Sequence, residues 1–253
     1  MTARAITRAL ALAAALASAL AAAPAAAQSK ADVFAGKIPP ISGQLYRKAG
    51  RFEITPTGNL SLNDAFFTKY FGGLSIGYHF TEALSLSVQG QAGASVKAGS
   101  SQVCPPNAGC SPATQAMMYQ VPGDIRGIAG LQLGWSPIYG KMNFLAERVA
   151  HFDLSILVGA DAIQHAEVVD ATTTARALAE AGQTPGTQTS FGGHVGLGAR
   201  LFLAEWVALR LEFKDYIYAV AVPSNIGGSD VQNQLFTELG VSFFLPFHNR
   251  PLP

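Results

Sequence analysis

The stretch "LSLSVQGQAGASV", residues 84–96, alternates between apolar and polar side chains along its length. The apolar set is Leu84, Leu86, Val88, Ala92, Ala94 and Val96, and the polar set is Ser85, Ser87, Gln89, Gln91 and Ser95. Successive side chains of a β-strand point to opposite faces of the sheet. This stretch therefore predicts a strand with one apolar and one polar face. The fold depends on which solvent each face meets.

The alternating pattern occurs eight times after residue 50, which indicates an all-β protein. Each repeat is close to or longer than the ~9–11 residues that a tilted strand needs to cross a membrane. The eight predicted strands lie at about residues 52–62, 69–80, 84–96, 125–135, 151–162, 190–201, 207–217 and 234–245. No apolar run after residue 27 approaches the ~20 residues of a membrane-spanning helix.

Composition favours a membrane barrel over a soluble one. Charged residues make up 13% of the chain, about half of the ~25% of a soluble domain. The polar faces carry mainly Ser, Gly, Gln and Thr, whereas a soluble surface is rich in Lys and Glu. Asp215 is the one charged residue on the apolar faces. The apolar faces are therefore predicted to meet lipid, and the polar faces to line a narrow lumen.

The connections and aromatic residues indicate a bacterial outer membrane. Long polar segments near 97–121, 166–188 and 221–231 alternate with tight turns at "TEA" and "AE", like the outer loops and periplasmic turns of such barrels. For this pattern the outer loop "NDAFF" is short and the turn "SPIYGKMNFLAERVA" is long. Two aromatic girdles are predicted at the bilayer interfaces. They are Tyr78, Phe80, Trp135, Trp206 and Phe243 at one level, and Phe67, Tyr70, Tyr216 and Tyr218 at the other.

The chain divides into four predicted segments. Arg4 and Arg8 precede an Ala/Leu-rich run, and Ala25 and Ala27 fit a signal-peptidase site, so residues 1–27 are predicted to be a signal peptide. We expect a periplasmic segment over 28–49, an eight-stranded antiparallel up-and-down transmembrane β-barrel over 50–247, and a tail over 248–253. Pro56 interrupts the first strand, which predicts a bulge or a later start there.

The two cysteines, Cys104 and Cys110, lie in "CPPNAGC" within a long loop. In an exported chain this spacing favours a local disulfide, because a metal site would need nearby His or further Cys residues. No cofactor or metal site is predicted. The net charge of +1 and the lack of a basic block do not indicate nucleic-acid binding.

Charged residues on the polar faces form a balanced set of five acids and five bases. The acids are Glu53, Asp153, Asp161, Glu212 and Glu238, and the bases are Lys69, Arg126, Arg200, Arg210 and Lys214. The balance predicts a salt-bridged network that fills the lumen, since eight strands enclose little more than their own side chains. An ion pathway with a charged constriction is the alternative.

A hydrolase site is an alternative at the outer rim, where two neighbouring strands carry Asp161, His194 and Ser190. These residue types supply the acid, base and nucleophile of barrel enzymes that deacylate lipid A. No motif fixes their spacing, so we predict no catalytic residue and expect His194 to be a hydrogen-bond partner in the lumen. His79 and His151 fall near periplasmic strand ends, without a third metal ligand.

The last strand contains "ELGVSFFL", which fits a polar-x-Gly-x-x-apolar-x-apolar pattern. Glu238, Gly240, Phe243 and Leu245 occupy its four positions, and we interpret them as a signal for the barrel-assembly machinery. The strand must also close against the first one, because an open edge is not tolerated in lipid. Outer-membrane lipid, including lipopolysaccharide, is the other expected partner.

Five stretches resemble the small outer-membrane β-barrel proteins of myxobacteria and related Gram-negative bacteria, which are similar in architecture to OmpA-type barrels. They are "LYRKAGRFEITP", "SLNDAFF", "GYHFTEAL", "SPIYGKMNFLAERVAHFDLSILVGA" and "WVALRLEFKDYIYAV". The resemblance covers about residues 44–247 and implies the fold and the outer membrane. Members mostly lack an assigned biochemical activity. We therefore expect a structural or interaction role in the cell envelope, with a narrow pore, a lipid-modifying hydrolase and a soluble lipocalin-like carrier as alternatives.

Overall fold

The computed structural model describes residues 46–104, 109–144, 148–169, 172–222 and 228–246. The predicted signal peptide, residues 28–45 of the periplasmic segment, Phe247 and the tail lie outside the described residues.

Eight strands form a closed antiparallel barrel, which confirms the predicted fold class. In order around the barrel they are β1 (Phe52–Ser61), β2 (Phe67–His79), β3 (Leu84–Lys97), β6 (Ile125–Phe144), β7 (Arg148–Ala166), β8 (Thr187–Ala204), β9 (Val207–Val222) and β10 (Gly228–Leu245). The outer loop between β3 and β6 holds the short strands β4 (Gln102–Val103) and β5 (Ser111–Pro112) and helix α1 (Gln115–Met118), while α2 (Thr172–Glu180) lies between β7 and β8. No helix in the described ranges is long and apolar enough to cross a membrane.

The two faces of each strand meet different environments. On β3, Val88 is 60% exposed and points outward, whereas its neighbour Gln89 is 7% exposed and points into the barrel. The same division holds on β10, where Leu239 is 61% exposed and Glu238 is buried. Apolar side chains thus cover the outside of the barrel, as the alternating pattern predicts. Asp215 lies half-buried on the outward register of β9.

The prediction of an aromatic girdle is confirmed at the periplasmic end of the barrel and is mostly wrong at the outer end. At the periplasmic end Tyr78 packs on Phe52, and Trp206 stacks on Phe243 with ring centroids 6.2 Å apart. At the outer end Tyr70 points outward, but Phe67, Tyr216 and Tyr218 are buried inside the barrel. Both β9 tyrosines share the inward register of Lys214, so strand alternation assigns them to the lumen.

Pro56 causes neither a bulge nor a later start. β1 begins at Phe52, and its register against β10 is the same on both sides of Pro56, from Ile54↔Phe243 to Thr57↔Gly240. The ladder is interrupted at Pro56, because proline has no N–H to donate. Pairing with β2 continues through Pro56↔Leu74, so the strand keeps one complete neighbour there.

Two connections are shorter than predicted. β6 extends to Phe144 and β7 begins at Arg148, so most of "SPIYGKMNFLAERVA" is paired strand. A register shift between Trp135 and Ile138 accommodates Pro137, which cannot take part in a regular ladder. Similarly, β9 and β10 pair as far as Val222 and Gly228, within the segment expected to be a long loop.

Candidate functional site in the barrel lumen

Glu53 on β1 is the centre of a buried set of ion pairs in the periplasmic half of the lumen. Its carboxylate accepts hydrogen bonds from Arg200 Nη2 at 2.9 and 3.1 Å and from the Ser242 hydroxyl at 2.6 Å. His79 Nε2 lies 2.6 Å from the same carboxylate, and Arg210 Nη1 lies at 3.5 Å. Side chains from four other strands, β2, β8, β9 and β10, therefore converge on this one carboxyl group of β1.

Alternating charges continue from Arg210 towards the outer half of the lumen. Arg210 Nε lies 2.8 Å from the Glu212 carboxylate, which also forms an ion pair with Lys214 Nζ at 2.8 Å. Lys214 Nζ in turn lies 2.8 Å from Glu238, which accepts a hydrogen bond from the Tyr216 hydroxyl at 2.9 Å. Each of these charges has a partner of opposite sign, as buried charges require.

At the periplasmic end the same set continues through Asp153 to Lys48. Asp153 accepts hydrogen bonds from Arg200 Nη1 at 3.0 Å and from Lys48 Nζ at 2.6 Å. Both side chains of the Lys48–Asp153 pair are at most 2% exposed. Lys48 precedes β1 and belongs to no alternating pattern, so the sequence gives no sign that it enters the lumen. The barrel was predicted to begin at residue 50, but a residue before that boundary, Lys48, already contributes its side chain to the lumen.

Aromatic and backbone contacts hold this N-terminal stretch against the barrel end. The Tyr46 ring stacks on Phe202 at 5.4 Å and meets His151 edge-on at 5.0 Å. Arg51 donates hydrogen bonds to the carbonyl oxygens of Glu205, Phe244 and Pro246, at 2.7, 3.2 and 2.6 Å. The backbone N–H of Lys48 also donates to Glu82 in the β2–β3 turn, at 2.8 Å. Residues 46–51 therefore lie across the periplasmic mouth of the barrel.

In the outer half of the lumen, Asp161 joins the set through uncharged partners. Gln89 accepts from Lys214 Nζ at 2.8 Å and donates to Asp161 at 3.2 Å. Asp161 lies 2.6 Å from His194 Nδ1, and His194 Nε2 lies 3.1 Å from Gln132 Oε1. We call the whole set the lumen network. Its members are Lys48, Glu53, His79, Gln89, Gln132, Asp153, Asp161, His194, Arg200, Arg210, Glu212, Lys214, Tyr216 and Glu238.

Two of the ten predicted charges lie outside the lumen network. Lys69 is buried nearer the outer end, where it pairs with Asp64 of the β1–β2 loop and Gln234 of β10. Arg126 is half-exposed and donates hydrogen bonds to the Thr187 hydroxyl and the Pro185 carbonyl. A register shift between Ile125 and Gly127 interrupts the alternation of side chains at this point. As a result Ile125, and not Arg126, is buried in the barrel.

The three residues of the possible hydrolase site, Asp161, His194 and Ser190, do not come together as a catalytic triad. His194 contacts Asp161, but its second ring nitrogen faces Gln132. Ser190 Oγ lies 3.0 Å from Nε2 of another histidine, His165, because Ser190 precedes His194 by four residues on β8 and pairs with Ile163. In the described ranges, no group of three or more His, Cys, Asp or Glu side chains is arranged to hold a metal ion.

Other predicted residues have clear positions. The sulfur atoms of Cys104 and Cys110 lie 1.98 Å apart, at the distance of a disulfide bond, whose formation in the exported protein stays a prediction. On β10, Glu238 and Gly240 point into the barrel, while Phe243 and Leu245 lie on its outward register. Their use as an assembly signal also stays a prediction.

A closed barrel with an apolar exterior and a charged, hydrogen-bonded interior defines an integral outer-membrane protein. The chain belongs to the family described as the outer membrane protein beta-barrel domain, whose model matches residues 12–243. The protein is thus an outer-membrane β-barrel protein, as the sequence predicts. The soluble lipocalin-like carrier is excluded by this location.

Solved barrels of other bacteria are similar to the chain. The N-terminal β-barrel domain of Pseudomonas aeruginosa OprF is 12% identical, with a TM-score of 0.44, and the match covers 78% of this chain and 98% of the chain of that domain. The outer membrane protein OprG of the same organism is 15% identical, with a TM-score of 0.44 and coverage of 79% and 98%. Ail, the attachment invasion locus protein of Yersinia pestis, is 9% identical, with a TM-score of 0.35 and coverage of 78% and 99%. No curated protein sequence matches the chain.

Proposed function

We propose that the protein has a structural or interaction role in the outer membrane and that its own side chains close its lumen. The observation that carries the proposal is the lumen network, which extends from Lys48 at the periplasmic mouth to His194 in the outer half. Each charged side chain in these ion pairs is held in place by its partner, because separating the two would leave a buried charge without a partner.

The space between these side chains supports the same proposal. A cavity of about 20 Å³ lies among Arg200, Arg210 and Glu212. That volume is about the size of one water molecule. A pore needs a continuous file of water, so this part of the lumen favours a plug over an ion pathway.

An absence of enzymatic activity is part of the proposal. Acyl transfer needs a nucleophile, a base and an orienting acid in contact. Here Ser190 and His194 have separate partners, which favours a hydrogen-bonding role for both. The test is the mass of lipid A from cells with and without the protein, which we expect to be identical. Loss of an acyl chain in its presence would contradict the proposal.

A liposome-swelling assay tests the closed lumen with uncharged solutes. Vesicles containing the folded protein should exclude small sugars as well as empty vesicles do. Swelling at a rate set by solute size would instead show a pore. Crosslinking in intact cells, followed by purification, tests the interaction role and would identify a partner at the outer loops, which are the expected contact surface.

We further propose that the barrel-assembly machinery recognises the end of β10. Phe243 and Leu245 are turned towards the lipid side, where a docking partner can reach them during insertion. The narrower resemblance to myxobacterial barrels also remains a proposal, and it agrees with a role that needs no catalytic site.

A further inference from the structure

A groove of about 600 Å³ crosses the lipid-facing surface near the outer end of the barrel. Strand register arranges its floor in two rows across β2, β3, β6 and β7. One row contains Gly72, Ala92 and Gly127, and the next contains Gly90, Ala129 and Ala162. On the periplasmic side, large outward residues such as Val88 and Leu131 end the groove.

At two positions in this floor, Gly72 and Gly90, neither crowding nor backbone conformation requires a glycine. A Cβ atom added to Gly72 or Gly90 would meet no other atom within 4 Å. Neither residue has a left-handed backbone, so an ordinary side chain would fit at both positions. The groove therefore leaves room next to the hydrocarbon of the bilayer, and an acyl chain of a lipid would fill that room.

The row that contains Gly127 continues into polar residues. Gln164 on β7 is the cross-strand partner of Gly127, and Thr189 on β8 is the partner of Gln164. Arg126 precedes Gly127 and lines the same groove. Its hydrogen bonds to Thr187 and Pro185 orient the guanidinium and use two of its five N–H groups. The apolar floor of the groove thus ends at the guanidinium of Arg126, the amide of Gln164 and the hydroxyl of Thr189.

We propose that this groove binds lipid A, the membrane anchor of lipopolysaccharide. An acyl chain lies on the floor formed by the glycines and alanines, and a phosphate accepts hydrogen bonds from Arg126. Two observations favour this occupant. The groove is continuous with the lipid-facing surface at the end that carries the outer loops, and its one cation complements an anionic headgroup. Arginine binds phosphate well because its N–H groups match the phosphate oxygens.

The inference concerns the outer surface and does not depend on whether the lumen is closed. Folded protein in detergent micelles is titrated with bisphosphorylated lipid A, dephosphorylated lipid A, phosphatidylglycerol and inorganic phosphate, and native mass spectrometry measures the dissociation constants. Bisphosphorylated lipid A should bind about tenfold more tightly than the other three probes. Equal affinity for dephosphorylated lipid A or for phosphatidylglycerol would overturn the proposal.

Matched variants identify the groove as the site. Arg126→Gln should weaken bisphosphorylated lipid A binding about tenfold, whereas Arg176→Gln, on the exposed face of α2, should leave it unchanged. Gly90→Leu fills the floor and should also weaken binding, unlike Ala199→Leu on β8. Heat-modifiable gel migration checks that every variant is folded. Unchanged binding by folded Arg126→Gln or Gly90→Leu protein would refute the site, as would equal losses in the controls.

Discussion

At the scale of single residues, the packing of the lumen depends on glycines placed opposite large polar side chains. Gly159 faces His194, and a Cβ at Gly159 would lie 2.1 Å from His194 Cε1 and 2.4 Å from the Leu131 carbonyl oxygen. Gly159→Ala is therefore expected to lower the free energy of unfolding by about 1–3 kcal/mol through overpacking. Gly90→Ala is the control, because its Cβ would enter open space. Equal stability of the two variants in urea titrations would contradict this packing.

Arg210 provides a test of the buried charges. It contacts both Glu53 and Glu212, so Arg210→Ala leaves two buried carboxylates short of a partner. We expect the free energy of unfolding to fall by about 3–5 kcal/mol. Arg176→Ala on the exposed face of α2 should have almost no effect. The measurement is heat-modifiable migration across a urea series, and a stable Arg210→Ala protein would indicate that the pairs are not formed.

Strand periodicity was sufficient to assign most lumen residues, and its failures have local causes. Eight of the ten predicted charges belong to the lumen network because a period of two fixes the face of each strand residue. The prediction that Arg126 lies in the lumen is wrong because one extra residue at a bulge shifts the alternation of side chains. A bulge has no reliable signal in the sequence. Periodicity cannot assign Lys48, which lies before the first strand. It places Ser190 and His194 on the same face of β8 but gives no information on which side chains each one contacts.

At the scale of elements, the disulfide loop is predicted to be dispensable for the barrel. Cys104 and Cys110 are separated by six positions, and closing so short a loop contributes less than the ~3 kcal/mol of a 15-residue loop. Replacing both cysteines with serine should make the loop more sensitive to protease while barrel migration on gels stays unchanged. Two alkylatable thiols in protein purified without reductant would show that the bond does not form.

β10 offers a depth test of the membrane position. Leu239 lies on the outward face in the middle of the strand, and Val231 lies on the same face near its outer end. Leu239→Arg should cost about 2–4 kcal/mol, against about 0–1 kcal/mol for Val231→Arg, because the penalty for a charge is highest at mid-bilayer. The fraction of folded protein in outer-membrane preparations measures this difference. Equal assembly of both variants would mean that Leu239 does not face hydrocarbon.

Element boundaries were less predictable than element identity. Pro137 and the polar residues Gly228, Ser229 and Asp230 resemble turn sequences, but all of them lie in extended strands that continue the barrel pairing. Pairing with an existing neighbour strand can extend a ladder through residues of low strand propensity. Pro56 remains in a regular strand for the same reason, since β2 pairs with it throughout.

At the scale of the whole molecule, the sheet is closed into a barrel, and we propose that the lumen is closed as well. β10 pairs with β1, so the sheet has no free edge in lipid. Inside, side chains from the strands and from the stretch before β1 occupy the lumen, with Lys48 bound to Asp153 at the periplasmic mouth. We therefore expect the barrel to contribute a surface to the envelope and not a passage through it.

The most direct test of this claim is the ionic conductance of the folded, signal-free protein in a planar lipid bilayer. Folding of the same preparation is checked by heat-modifiable migration before reconstitution. If the lumen network fills the barrel, the unmodified protein gives no steady conductance steps at neutral pH, because ions cannot pass between paired and buried charges. Stable, charge-selective current steps from the unmodified protein would contradict the proposal that side chains close the lumen.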